Sequence, residues 1–292
     1  MKNSYWTDFL HAQIYKLKGR YSTRILEAGD GEPLLLLHGT GGHIENYARN
    51  IMPLSQHFHV IAMDFLWHGG SETGGFEPAI VPKLIDQVVD VLDTMGIAST
   101  HLEGQSLGGW VAMQMALLHP ERVNKLVLTT TQGYQPDDGS IPGLVDPDYR
   151  HIQANSLQVL RDPSFENVRS RLERVMAHPE LLPDEAVAVR HKFYNDSVLN
   201  RVQQQFMEHY PIGDALLKHL VTDARAADIK APTLVFWGDK NPVPPVVGQR
   251  LSQSIPNARF FNAPETGHMA QFESYELHNR EVSSFLRDSP LP

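Results

Sequence analysis

Two side chains far apart in the sequence could together supply an activated nucleophile. Ser106 is the centre of the motif G-Q-S-L-G, which follows a predicted strand at residues 101–103 and opens a predicted helix at residues 110–118. That context is typical of a sharp strand-to-helix turn that projects the serine hydroxyl from the edge of a sheet. Because a serine hydroxyl needs a base at neutral pH, a histidine must reach it. His268 lies on the loop after the last predicted strand, and we expect its imidazole to approach Ser106 within hydrogen-bonding distance.

A glycine-rich segment, H-G-T-G-G at residues 38–42, follows the first buried strand. Glycines there free backbone N–H groups to point at the negative oxygen that forms when a nucleophile attacks a carbonyl. We therefore predict an oxyanion hole made by the amides near Thr40 and of Leu107, with Gly39 in contact with the substrate. A phosphate-binding loop is the alternative, but neither G-x-G-x-x-G nor G-K-[ST] follows the segment.

Strand and helix signals alternate over the first part of the chain. Short apolar runs at residues 34–37 and 58–63 are typical of strands buried on both faces of a sheet, and residues 82–95 carry apolar side chains at helical spacing. The alternation resumes at residues 233–238 and ends in a helix over residues 274–286. This pattern predicts a parallel sheet between two layers of helices, with ligands bound at the carboxyl ends of the strands.

One long segment interrupts the alternation. Residues 133–212 contain no buried-strand run but hold amphipathic stretches, for example at residues 184–194. We expect residues 1–132 and 213–292 to form one core and residues 133–212 to form a helical lid over its ligand-binding edge. A second independent domain is the alternative.

The composition is that of an ordinary globular protein, with 41% hydrophobic and 20% charged residues. The chain has no cysteine, which excludes disulfides, thiolate zinc sites and a cysteine nucleophile. A net charge of -9 without a basic cluster argues against nucleic acid, and no apolar run approaches the roughly 20 residues that span a bilayer. The first ten residues lack the apolar region of a secretory signal. We expect a cytoplasmic protein that acts on a small-molecule substrate without a metal or cofactor. We expect no nucleic-acid or membrane partner, and a homodimer is the one oligomeric state that we consider.

These motifs resemble the α/β-hydrolase superfamily across nearly the whole chain. Within it, residues 267–273, G-H-M-A-Q-F-E, are similar to the G-H-W-A-Q-W-E signature of the meta-cleavage-product hydrolases, the carbon–carbon bond hydrolases of aromatic catabolism. Residues 173–195 resemble the lid of that family, and Arg190 falls where its carboxylate-binding arginine lies. The resemblance implies the α/β-hydrolase fold, a mostly parallel eight-stranded sheet flanked by helices, with an inserted helical lid.

The resemblance also implies an activity. The substrate would be a 2-hydroxy-6-oxo-dienoate formed by ring fission of a catechol-type compound. Arg190 and Gln105 would hold its carboxylate while the dienol becomes a ketone. His268 would then activate Ser106 or water against the distal carbonyl, and cleavage would release a dienoate and a carboxylic acid.

Two substitutions in the acid-binding region depart from the family pattern. Gln105 replaces the usual asparagine and Met269 the usual tryptophan, and both positions contact the acid end of the substrate in the family. These departures leave a carboxylesterase acting on an aromatic or acidic monoester as an alternative. A catalytically idle, ligand-binding member of the fold is a further alternative.

A third departure concerns the group that orients the histidine. The aspartate of the family is the fifth residue of W-G-x-x-D, and here that position is Asn241. An asparagine carbonyl can accept a hydrogen bond from an imidazole N–H but brings no negative charge. Asn241 as a neutral partner, Asp239 as an acid from the same loop, and Glu103 as a buried carboxylate are three open alternatives.

Overall fold

The computed structural model describes residues 9, 11–138, 147–210 and 217–287. In these ranges, eight strands form one sheet. They are β1 (Gln13–Lys18), β2 (Ser22–Ala28), β3 (Glu32–Leu37), β4 (Phe58–Met63), β5 (Thr100–Gln105), β6 (Val123–Thr129), β7 (Thr233–Gly238) and β8 (Ala258–Ala263). Their order across the sheet is β1-β2-β4-β3-β5-β6-β7-β8. β2 is antiparallel to both of its neighbours and all other pairs are parallel, so the predicted mostly parallel eight-stranded sheet is confirmed.

The central strands are buried on both faces. Every residue of β5 and β7 is buried, as is the Leu34–Leu37 run of β3. The edge strand β1 keeps an alternation of exposed and half-buried residues, because only one of its faces meets other elements. The carboxyl ends of β3, β5, β7 and β8 consequently lie along one edge, and the loops that leave them carry the predicted site residues.

Helices cover the sheet. The described ranges contain α1 (Ala48–Leu54), α2 (Ile80–Thr94), α3 (Leu107–Leu118), α4 (Pro147–Arg161), α5 (Phe165–Glu173), α6 (Asp184–Tyr194), α7 (Ser197–His209), α8 (Asp223–Ala226), α9 (Pro245–Ser254), α10 (Ala270–Glu273) and α11 (Tyr275–Leu286). α3 is apolar on nearly every side, as befits a helix buried behind the nucleophile strand. Among the described residues, each helix is too short or too polar to cross a bilayer.

In the described ranges, the four helices α4 to α7 follow β6 and precede the short helix α8. Side-chain caps start two of them: Ser164 accepts the Asn167 N–H at α5, and Asp196 accepts two backbone N–H groups at α7. The segment is attached to the core loop that follows β8, because the His268 N–H donates to the Val175 carbonyl at 2.8 Å. The helices therefore lie against the edge of the sheet where the candidate site is built; their function as a lid stays a prediction.

Candidate active site

Ser106 occupies a strained turn between β5 and α3. Its φ of 55° and ψ of -116° belong to a region that residues with side chains seldom adopt. Three backbone hydrogen bonds hold this conformation: the Ser106 N–H donates to Thr129, and the Ser106 carbonyl accepts from Trp110 and Gln132, at 3.1 to 3.2 Å. Strain that is held in this way is typical of functional sites.

The glycines around the serine are required by close approach of the backbone. A Cβ on Gly104 would fall far inside contact distance of the Gly108 carbonyl oxygen, and a Cβ on Gly108 would do the same to the Leu37 carbonyl oxygen. The sharp turn therefore brings the start of α3 directly against the end of β3, where the glycine-rich segment begins.

His268 is oriented by Asn241. The imidazole Nδ1 lies 3.0 Å from the Asn241 Oδ1, and the same oxygen accepts the Val243 N–H at 3.4 Å. Because a backbone N–H can only donate, this amide atom is the oxygen and the His268 Nδ1 carries the proton. The tautomer leaves Nε2 unprotonated, as a general base requires. Burial lowers the pKa of His268 to about 4, so the ring is neutral at pH 7.

The other two candidates for the histidine's partner lie elsewhere. Asp239 accepts a hydrogen bond from a backbone N–H on the loop that carries His268, at 3.2 Å, and in the described ranges it makes no hydrogen bond or ion pair with the imidazole. Glu103 is fully buried and lies 3.0 Å from the His278 Nε2. The geometry therefore favours Asn241 as the neutral partner.

Ser106 and His268 line one cavity of about 170 Å³ between the sheet edge and the helices. Within the described residues no hydrogen bond joins the hydroxyl to the imidazole, so the predicted catalytic contact between them stays a prediction. Such contacts are often long or poorly aligned without substrate and tighten in the complex. The histidine backbone is fixed to the serine turn, since its carbonyl accepts from the Gln105 Nε2 at 3.1 Å and from the Thr130 hydroxyl at 2.7 Å.

The candidate oxyanion hole is oriented by His38. The His38 Nε2 accepts the Phe65 N–H at 3.0 Å, so the proton lies on Nδ1, which donates to the Gly39 carbonyl at 2.7 Å. The Thr40 N–H belongs to the same planar peptide and points the opposite way from that carbonyl. Thr40 lines the cavity, and Leu107, as the first residue of α3, has an N–H without an intrahelical acceptor.

Gly39, Gln105 and Met269 also line the cavity, and their contact with substrate stays a prediction. A Cβ on Gly39 would collide with the Gln105 side-chain oxygen, so the glycine is needed for this amide to lie beside the nucleophile. Arg190 lines the same cavity and is only 3% exposed. Its guanidinium lies 3.3 Å from the Asn46 Oδ1, and no carboxylate lies within ion-pair distance of it in the described ranges.

Comparison with known proteins gives the family. A family model described as alpha/beta hydrolase fold matches residues 32–275. The chain belongs to the α/β-hydrolase fold family. It is 32% identical, over 89% of both chains, to the 2-hydroxy-6-oxononadienedioate/2-hydroxy-6-oxononatrienedioate hydrolase of Burkholderia vietnamiensis, and 29% identical to the 2-hydroxymuconate semialdehyde hydrolase of Pseudomonas putida over 94% of this chain and 93% of that one. Among solved structures it is similar to the 2-hydroxy-6-oxo-6-phenylhexa-2,4-dienoate hydrolase of Rhodococcus sp. strain RHA1, with a TM-score of 0.82, 25% identity and coverage of 94% and 99%.

These similarities confirm the resemblance to the meta-cleavage-product hydrolases that the sequence motifs indicated, and the protein is an α/β-hydrolase enzyme. The sequence motifs did not point to four further residues of the site: His38, Asn46, Arg171 and Tyr194. The glycine-rich motif contains His38, so its position could have identified it. Nothing in the spacing of the other three distinguishes them from ordinary surface or core positions.

Glu273, the last residue of the G-H-M-A-Q-F-E motif, joins the helical segment to the histidine loop, a role that the motif alone did not indicate. The Glu273 carboxylate accepts the Ala177 N–H at 2.7 Å, and the Gly267 and Met269 N–H groups at 3.2 Å each. A carboxylate is suited to this position because it accepts several N–H groups at once. The carboxylate thereby links the helical segment to the backbone that carries the imidazole.

Proposed function

We propose that this hydrolase cleaves a carbon–carbon bond in a 2-hydroxy-6-oxo-dienoate, the type of acid formed by ring fission in aromatic catabolism. One observation carries the proposal: a buried guanidinium, Arg190, faces the same cavity as Ser106 without an acidic partner in the described ranges. A buried charge without a partner is costly, and a substrate carboxylate would supply the missing partner through two parallel hydrogen bonds. The names of the relatives, which are hydrolases of such dienoic acids, support the same substrate class.

The reaction would begin at the acid end. The substrate carboxylate binds Arg190, with the Asn46 and Gln105 side chains beside it, and the dienol becomes a ketone by moving its hydroxyl proton to carbon. This step turns the bond between the ketone-bearing chain and the distal acyl group into one that can break, because the electron pair left behind is stabilised as a dienolate.

Cleavage would follow at the distal carbonyl. The neutral His268 takes a proton as the oxygen of Ser106 or of water attacks that carbonyl, and the Thr40 and Leu107 N–H groups stabilise the oxyanion. When the oxyanion collapses, the carbon–carbon bond breaks and the dienoate fragment accepts a proton from the imidazolium. If Ser106 is the nucleophile, a water activated by His268 then hydrolyses the acyl-enzyme ester and restores the serine hydroxyl. On either route one water is consumed, and the acyl group leaves as a carboxylic acid.

We assign Asn241 as a positioning residue in this scheme. Its oxygen keeps the proton of His268 on Nδ1 and so keeps Nε2 free, which is the part of an aspartate's task that needs no charge. Asp239 and Glu103 remain outside the catalytic group in this proposal. The helical segment, residues 133–212, would act as the lid that shields the reaction from bulk water.

Substrate trials test the proposal. Ring-fission dienoates lose their visible colour on cleavage, so turnover is followed by absorbance, and chromatography identifies the dienoate and the acid. We expect turnover by the unaltered protein and a loss of about 10³-fold or more in kcat for Ser106→Ala and for His268→Ala, as for members of a catalytic triad. Arg190→Gln should raise KM for the dienoate far more than KM for a neutral aryl ester.

A carboxylesterase is the second candidate. The observation that favours it is Met269, whose side chain offers no N–H donor at the acid end where the family has tryptophan. Hydrolysis of aryl monoesters, with no loss of colour from several dienoates, would make it the better assignment. Failure of an organophosphonate to label Ser106 in the folded protein would instead favour an idle, ligand-binding member of the family.

A further inference from the structure

The cavity is cationic although the protein is acidic. The chain carries a net charge of -9, yet three arginines and no aspartate or glutamate line the cavity. They are Arg171, Arg174 and Arg190, and a substrate with one carboxylate needs only the last of them. Arg174 is exposed, so solvent screens its charge. The positive charge inside the cavity beyond that of Arg190 therefore comes from Arg171.

Arg171 and Arg190 flank one hydroxyl group. The Arg171 Nη1 lies 3.1 Å and the Arg190 Nη1 lies 3.4 Å from the Tyr194 hydroxyl oxygen, so the two guanidiniums are no farther apart than two hydrogen-bond lengths. A hypothetical Cβ on Gly41, which has a φ of 65°, would lie 2.6 Å from the Tyr194 hydroxyl oxygen, 3.4 Å from the Arg190 Nη1 and 3.5 Å from the Arg171 Nη1. Glycine at this position therefore leaves room for the hydroxyl and for both cations around it.

The Arg171 side chain is held in place from a second helix. Its Nη2 and Nε lie 3.1 and 3.4 Å from the Ser156 hydroxyl oxygen of α4. Side chains of α4 and α6 thus converge on this guanidinium of α5, and both contribute hydroxyl groups. In the part of the chain that the structure describes, no carboxylate comes within ion-pair distance of Arg171.

The local potential is strongly positive. Burial lowers the pKa of Arg171, and the charges of Arg190 and Arg174 lower it further. Burial would raise the pKa of Tyr194, but the positive charges of Arg171 and Arg190 outweigh it and lower that pKa. Two guanidiniums placed this close repel each other, and a single carboxylate would leave one of the two charges uncompensated.

We propose that Arg171 makes the site selective for substrates that carry a second negatively charged oxygen in addition to the carboxylate held by Arg190. This inference rests on the proposed function, because it refines the substrate class of the same cavity. The second oxygen could belong to a second carboxylate on the substrate chain or to the ionised 2-hydroxyl next to the first carboxylate. Both groups present the same chemistry to Arg171 and Tyr194, namely an anionic oxygen that accepts hydrogen bonds.

Binding measurements test the selectivity without catalysis. Calorimetric titration of the Ser106→Ala protein at low salt compares saturated mono- and dicarboxylic acids of equal chain length. If a second carboxylate is the partner, the diacid should bind tighter, and Arg171→Met should reduce that preference by about tenfold to a hundredfold, as expected for one hydrogen bond to a charged group. Arg171→Lys keeps the positive charge but not the planar guanidinium with its parallel N–H donors, so it should restore part of the preference for the diacid.

A spectroscopic measurement tests whether the second anionic oxygen is instead the ionised 2-hydroxyl of the substrate. A bound 2-hydroxydienoate absorbs at different wavelengths as dienol and as dienolate, so a pH titration of its complex with Ser106→Ala reports ionisation of the 2-hydroxyl. If that oxygen is the partner of Arg171, the bound hydroxyl should ionise at lower pH than in the Ser106→Ala, Arg171→Met double variant. Because α5 also carries Arg169, which does not line the cavity, Arg169→Met is the matched control for removal of one positive charge.

Either a loss of diacid preference or a shift in the ionisation of the bound hydroxyl supports the inference and identifies its source. If Arg171→Met folds normally by circular dichroism and changes neither quantity beyond the Arg169→Met control, the inference is refuted. Turnover of dienoates in that case would leave the proposed function standing. Conversely, a diacid preference that depends on Arg171, without cleavage of any dienoate, would refute the proposed function alone.

Discussion

Replacement of Asn241 by aspartate should convert the neutral partner of His268 into a charged one and move the acidic limb of the pH profile. The two side chains meet at 3.0 Å between the Asn241 Oδ1 and the His268 Nδ1. Burial lowers the pKa of His268 to about 4, so the unaltered protein keeps its base deprotonated far below neutral pH. The same burial strengthens the effect of any charge introduced beside the ring.

The magnitude follows from the distance. A carboxylate and an imidazolium with charge centres about 4 Å apart attract by about 4 kcal/mol at an effective dielectric constant of about 20. At about 1.4 kcal/mol for each pKa unit, this attraction would raise the pKa of His268 by about three, from about 4 to about 7. The Asn241 Nδ2 is buried and has no partner in the described ranges, so the second oxygen of the aspartate would lack a donor and the rise would be smaller than this upper figure.

The sign of the effect on activity is fixed by the role of the ring. A general base acts when it is neutral, so kcat/KM of the aspartate variant should fall as the pH drops below about 7, whereas kcat/KM of the unaltered protein should hold to nearer pH 4. At pH 8 the variant should be the faster enzyme, because the imidazolium formed during the reaction is stabilised by the new charge.

The assay is kcat/KM against pH for whichever dienoate or ester the protein hydrolyses. Asp239→Asn is the matched control, since it changes the charge of the same loop by one without facing the imidazole. If the aspartate variant is folded but keeps the acidic limb of the unaltered protein, then Asn241 does not set the electrostatics of His268 and the assignment of the neutral partner is wrong.

Three substitutions test other parts of the site. Gly39→Ala should lower kcat/KM by about 10²-fold with little change in melting temperature, because the new Cβ displaces the Gln105 side chain and the amide beside it; a kinetic assay and a thermal melt together decide this. Gly108→Ala should fail to yield folded protein, since its Cβ would meet the Leu37 carbonyl, and normal expression with an intact circular dichroism spectrum would contradict the close approach of backbone inferred at this turn. Glu273→Gln should cost about 1–3 kcal/mol in the free energy of urea unfolding, because an amide cannot accept all three N–H groups, and an unchanged unfolding midpoint would exclude this role.

The sheet could be predicted because its central strands are short and buried on both faces. The apolar runs at 58–63 and 233–238 coincide with β4 and β7, because a strand that is covered on both faces of a sheet carries apolar residues without alternation. The helices α1 and α4 were not predicted. α1 is short and contains Pro53, which argues against a helix, and α4 is mostly polar.

The serine and histidine were predictable for a topological reason: parallel strands bring their carboxyl ends to one edge wherever they occur in the chain. The choice between Asp239 and Asn241 was not, because both lie on one short loop. It is decided by hydrogen bonds to a different segment: the Asp239 N–H donates to Ala263 at 3.0 Å and the Lys240 N–H to Thr266 at 2.9 Å. These bonds set which of the two side chains reaches the imidazole, and no local pattern encodes them.

The charge of the cavity was hidden from the sequence in a similar way. A basic residue on an amphipathic helix is usually solvated, and neither Arg171 nor Arg190 stands out from the other arginines of the chain by spacing. Arg171 differs because its guanidinium contacts the hydroxyl groups of Ser156 and Tyr194, which belong to two other helices. In the described ranges it has no carboxylate partner. Net charge is a sum over the whole chain, whereas the potential in a cavity depends on the few charges that solvent does not screen. An acidic protein can therefore hold a strongly cationic site, and the charge of the substrate has to be inferred from the cavity and not from the composition.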